Sequence, residues 1–129
     1  QYRMDELQAI VEEAERWGVY VAGHAYSDDA IKRGLAAGIR TIEHGNFIKP
    51  ETASDMAQRD AYLVPTLITY EITKRLGAAS GKSPDSLAKN DLVHAAGLES
   101  LEICREAGSW ECPFRQVRPS SCRADFPYP

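Results

Sequence analysis

Val19-Tyr20-Val21-Ala22-Gly23-His24-Ala25 and, one unit further on, Ile39-Arg40-Thr41-Ile42-Glu43-His44-Gly45 are two versions of one pattern: a short, partly β-branched apolar run stopped by a histidine and a small residue. Such runs predict buried strands, Val19–Ala22 and Ile39–Glu43, each ending at its histidine pair. A third run, Ala61–Val64, stops at Pro65, which cannot donate to a ladder and so marks the rim of a sheet. Helical text fills the gaps. Ser27 with Asp28 and Asp29 opens a helix that Gly38 ends, because a hydroxyl cap and acidic first turn satisfy free N–H groups and complement the dipole. Lys49-Pro50-Glu51 opens another, running to about Arg59. Strand and helix alternate with no hairpin turn between them, which predicts the α/β class: a parallel sheet with crossover helices.

The pattern continues on both sides. Leu7, Ile10, Val11, Ala14 and Trp17 recur at helical spacing, so Asp5–Trp17 reads as an amphipathic helix with Gly18 as its stop. After Pro65, Thr66–Leu76 reads as a long loop or short helix and Gly77–Pro84 as a flexible connection. A long helix, Asp85–Ala107, follows with Leu87, His94, Leu98, Leu101 and Cys104 as its stripe and Gly108 as its stop. Beyond Gly108 the composition changes: Pro113, Pro119, Pro127 and Pro129, with Cys112 and Cys122, fall in text of neither periodicity. The expected division is a folded segment, residues 1–108, and an irregular tail, residues 109–129, that reads as frame-shifted or otherwise non-native, or as a natural extension. The first residue is Gln, which suggests a piece of something longer or a processed product.

Composition excludes several classes. The 129 residues are 43% apolar and 26% charged, with net charge -4, so the chain is neither disordered nor a dedicated nucleic-acid binder. No apolar stretch approaches a spanning helix and the start is no signal peptide, which points to the cytoplasm. Cys104, Cys112 and Cys122 make no zinc-knuckle spacing and read as reduced thiols.

His24 and His44 are the sharpest chemical feature. Two imidazoles at the ends of adjacent strands, about 4.8 Å apart, can both reach one cation, on the rim where α/β proteins place their sites. The competing reading is two satisfied histidines. Glu43, next to His44, is expected by strand alternation to face the helix layer. His94, mid-helix, reads as a partly buried structural histidine. Gly77–Ser83 looks like a phosphate-binding loop but is one residue short and follows no strand.

Val21-Ala22-Gly23-His24-Ala25 and Thr41-Ile42-Glu43-His44-Gly45, with Leu63-Val64-Pro65-Thr66-Leu67 downstream, resemble the amidohydrolase superfamily over about Leu7–Gly108. The likeness is strongest to its imidazolonepropionase-like and prolidase (Xaa-Pro dipeptidase) branch. It implies part of a TIM (β/α)8 barrel, about strands five to seven with their helices. It also implies a metal-dependent hydrolase in which a metal-activated water attacks an amide, peptide or cyclic amide C–N bond of a small or dipeptide-like substrate. His24 and His44 would be metal ligands, to zinc or another divalent ion, one or two in number, and Tyr70 a substrate contact. The family's His-x-His, bridging lysine and strand-eight aspartate have no match here, so no catalytic base is expected within this chain and the isolated chain is expected to be inactive. Open sheet edges would favour a homo-oligomer. The alternative is a stand-alone flavodoxin-like α/β module, binding or signalling without metal.

Overall fold

The computed structural model describes residues 2–109. Within them α1 (Met4–Arg16) leads into β1 (Ala22–Ser27), α2 (Asp28–Ala37), β2 (Thr41–Phe47), α3 (Pro50–Gln58) and β3 (Tyr62–Val64). Helix α4 (Leu67–Leu76), a 3-10 turn at Gly77–Ser80 and α5 (Pro84–Ala107) complete the order. The sheet is parallel, in the order β1-β2-β3, so the α/β class with crossover helices is what the chain adopts. No helix among the described residues is long and apolar enough to cross a membrane.

The helix-to-strand joints repeat one device. After α1, Gly18 N–H bonds to Glu15 O and Val19 N–H to Ala14 O, with Gly18 left-handed at φ +68. The same pair of bonds recurs at Gly38 and Ile39 after α2 and at Asp60 and Ala61 after α3. This paired closure satisfies helix carbonyls that would otherwise lack partners. It also moves the first strand. Val19 was expected to begin it, but its amide closes α1, and ladder bonding starts only with Arg40 N–H to Val21 O. Val19 and Tyr20 are therefore exposed, and the strand runs on through His24 to Ser27 rather than stopping at it. β2 likewise continues through His44 to Phe47.

Ile42 and its β3 neighbour Leu63 point into the helix layer, where they join Ile31 and Leu35 of α2, Ala53 and Met56 of α3, and Cys104 of α5. Burial of each of the larger side chains, Ile31, Leu35, Ile42, Met56 and Leu63, contributes on the order of 1.5–3 kcal/mol. Asp28, in the first turn of α2, ties the layer together by accepting from Lys49 N–H at the head of α3 and pairing with Lys32 at 2.7 Å.

Thr66–Leu76, left open between loop and helix, is helical from Leu67. Gly77–Ser80 is a 3-10 turn rather than a loose connection, and α4 precedes it, not a strand. The stripe of α5 differs from expectation: His94, Gly97, Ser100 and Cys104 are buried, while Leu98 is exposed. The helix lies so close to β2 that Ser100 Oγ donates to Asn46 O at 2.6 Å, and a Cβ on Gly97 would come within 2.6 Å of Asn46 Nδ2. Small side chains make that face because large ones would not fit. His94 is buried with Nε2 3.6 Å from Glu71 Oε2, a structural setting as expected. The tail assigned to 109–129 lies, apart from Ser109, outside the described residues.

Candidate functional site

His24 and His44 come together, although not by simple strand alternation. The register sets His24 opposite Glu43 and Ala25 opposite His44. Since Ile42 points into the helices, Thr41, Glu43 and His24 take the other face, and an ordinary extended His44 would turn its ring away from them. His44 is not ordinary: its φ is +78, and Gly45 follows at +59. The ladder also slips between Ala25 and Ser27, where β2 carries an extra residue. Such a bulge re-aims a side chain. Here it leaves the two imidazole centroids 5.0 Å apart, with His24 Nδ1 2.9 Å from His44 Nε2. Glu43 therefore shares the side of His24, and the expectation that it faces the helix layer fails because His44, not Glu43, breaks the alternation.

Three hydroxyls surround the pair. Tyr26, two residues beyond His24 on the same strand, stacks on His44 with centroids 4.6 Å apart and planes 14° from parallel. Thr66 Oγ1 lies 2.6 Å from His44 Nδ1, and Tyr70 Oη lies 3.1 Å from the same nitrogen. Tyr70 is buried; its hydroxyl reaches Tyr26 Oη at 3.3 Å and Asn46 Oδ1 at 3.5 Å. Tyr70 thus joins the site on the Nδ1 side of His44. Tyr26 could have been found in the sequence from its alternation with His24. Thr66 carried no such signal.

The electrostatics follow from this packing. Desolvation first, and then the neighbouring His24, hold the His44 imidazole below its ordinary value, with Glu43 acting weakly the other way. Burial, aided by the bond to Tyr26, pushes the Tyr70 phenol up to about 12, so it stays a neutral donor and acceptor at physiological pH. Two imidazoles with facing nitrogens suit a borderline cation. Two nitrogens on one tetrahedral zinc sit about 3.3 Å apart, close to the 2.9 Å found. The described residues offer this pair and no cluster of three or more His, Cys, Asp or Glu, so the most they could contribute is half of a four-ligand set.

The amidohydrolase family model matches residues 1–110. Uncharacterized proteins of Mycobacterium tuberculosis and Mycobacterium bovis are 35% identical over 104 residues, covering 81% of this chain and 28% of theirs. A prolidase solved with N-methylphosphonate-L-proline superposes with TM-score 0.78 at 46% identity, covering 85% of this chain and 27% of that one. A second amidohydrolase gives 0.76 at 50% identity, with 83% and 26% covered. Aspergillus niger ochratoxinase gives 0.75 at 27% identity, with 85% and 24% covered. The chain spans about a quarter of the length of the proteins it matches.

Proposed function

The chain belongs to the amidohydrolase family, and on that footing we propose that it is a segment of a metal-dependent (β/α)8-barrel hydrolase cutting an amide or peptide C–N bond, as a prolidase-like dipeptidase or carboxypeptidase. Membership replaces the reading as a stand-alone flavodoxin-like module. The observation that carries the proposal is the facing pair His24 Nδ1 and His44 Nε2, which would hold zinc or another divalent ion, one or two per site. Such an ion, when bound, supplies polarisation of a carbonyl and acidification of water.

The chain's own residues have separate parts in this reading. Burial keeps His44 unprotonated and so able to offer a lone pair at neutral pH. The ring of Tyr26 covers one face of His44 and limits water there. Tyr26 and Tyr70 present hydroxyls beside the imidazoles, and Tyr70 is the proposed substrate contact, for the polar edge of a small or dipeptide-like molecule. No described side chain stands as the general base, so the isolated chain is proposed to be inactive and to need further ligands, and its sheet edges to be covered by association. In the intact enzyme, His24→Ala and His44→Ala should each lower metal content and abolish hydrolysis of Xaa-Pro dipeptides. Two variants with full metal and full activity would refute the assignment.

A further inference from the structure

Ser27, Thr66 and Ser83 each precede a helix at the position where a hydroxyl ordinarily accepts from a first-turn amide. Ser27 Oγ takes the Ala30 N–H, and Ser83 Oγ the Ser86 N–H. Thr66 makes no such bond. Its backbone is left-handed, φ +49 and ψ 28, a conformation a β-branched residue adopts against its own sterics. Its hydroxyl lies instead 2.6 Å from His44 Nδ1. Two residues with left-handed backbones, His44 and Thr66, on neighbouring strand ends, thus meet through one short bond. Strain of this kind survives only where the surroundings hold it.

The surrounding bonds also say which nitrogen carries the proton. Asn46 Nδ2 donates to Val93 O at 2.9 Å, which aims Asn46 Oδ1 at the Tyr70 hydroxyl. Tyr70 then gives its hydrogen to Asn46 or to Tyr26, both acceptors within 3.5 Å. Toward His44 it presents a lone pair. The arrangement consistent with these bonds puts the hydrogen on Nδ1, with Thr66 the nearer partner and Tyr70 the farther.

We infer that Thr66 is a positioning residue: by accepting the Nδ1–H of His44 it fixes the imidazole tautomer and ring angle, leaving the Nε2 lone pair aimed at the point His24 Nδ1 also faces. The tautomer is a property of the chain alone, whereas its use for a cation rests on the proposed metal site. The test is long-range 1H–15N correlation of the histidine rings in the full 129-residue chain, metal-free and at about pH 8, well above the ordinary histidine value. The wild type and Thr66→Ser should show His44 protonated at Nδ1; Thr66→Val, which leaves only the longer Tyr70 contact, should shift a measurable share of the proton to Nε2. Thr66→Gly, which suits the left-handed backbone, should fold at least as well and show the same shift away from the Nδ1–H form, which a purely structural role would not predict. It also carries the test if the valine variant does not fold. Added zinc should perturb both rings in the wild type and Thr66→Ser, and in the other two only at concentrations roughly tenfold higher or more. An Nδ1–H share unchanged from the wild type in both Thr66→Val and Thr66→Gly overturns the inference. A wild type indifferent to zinc shows that the two imidazoles need the further ligands to hold a cation, and the tautomer comparison alone then decides the role of Thr66.

Discussion

Replacing Gly45 by alanine probes the device that turns His44 toward His24, and its cost can be worked out against a control in the same chain. Gly45 and Gly18 have similar left-handed angles, φ +59 and +68, but different surroundings. A methyl on Gly18 meets nothing within 4 Å, whereas one on Gly45 would collide with Leu63 Cδ1. Left-handed strain costs an alanine about 1–2 kcal/mol, and the stiffer unfolded chain returns about 0.4–1 kcal/mol. Gly18→Ala should therefore lose about 1 kcal/mol. Leu63 is only 5% exposed and packed in the core, so it cannot swing aside into solvent. Overpacking adds about 1–3 kcal/mol, which brings Gly45→Ala to about 2–4 kcal/mol. Urea unfolding followed by circular dichroism reads this directly. With a slope of about 1.5 kcal/mol per molar, the midpoint should fall by about 0.7 M for Gly18→Ala and about 2 M for Gly45→Ala. Adding Leu63→Ala should recover the overpacking part, a coupling of about 1–3 kcal/mol in the double-mutant cycle. Equal losses at the two glycines, or a cycle without coupling, would refute the reasoning.

Two further outcomes are expected. Ser83→Ala, which removes the bond from Ser86 N–H, should destabilise by about 1 kcal/mol in the same urea assay. Acidification should act through His44. Its folded-state value lies below the ordinary 6.5, so the unfolded chain takes up a proton first, and stability present above 6.5 is lost as pH falls toward the lower folded value. The melting temperature of the metal-free chain should drop between about pH 7 and pH 5, and His44→Asn, whose side chain tolerates a left-handed backbone, should flatten that slope. An unchanged slope would show that other groups govern the acid side.

The order of elements could be read from the sequence because each boundary had its own chemistry: Ser27 and the acidic pair at the head of α2, Gly38 at its end, Pro50 at the start of α3. Sequence and structure part where a backbone group has two possible partners. The amide of Val19 could begin a ladder or close α1, and only the three-dimensional closure decides for the latter. The face of α5 was misread because Leu98 looks like core by type, while the tight approach at Gly97 selects small residues instead. At the site, the pairing of His24 with His44 was legible from the repeat. Its means was not, since alternation alone would have parted the rings, and nothing in Glu43-His44-Gly45 announces two successive left-handed residues. Tyr26 stood in plain alternation with His24, whereas Thr66 depended on a conformation that its residue type disfavours.

The three repeated helix closures, at Gly18, Gly38 and Asp60, all lie at the opposite end of the sheet from His44 and Thr66. Damage to the chain is therefore of two kinds with different remedies. A lesion at a closure weakens the fold as a whole, and any unrelated stabilising substitution elsewhere can suppress it. A lesion at the histidine rim changes the aim of a ring, which added stability does not correct. Genetic suppressors of the first kind should be scattered through the chain, and those of the second confined to the few residues that touch the imidazoles.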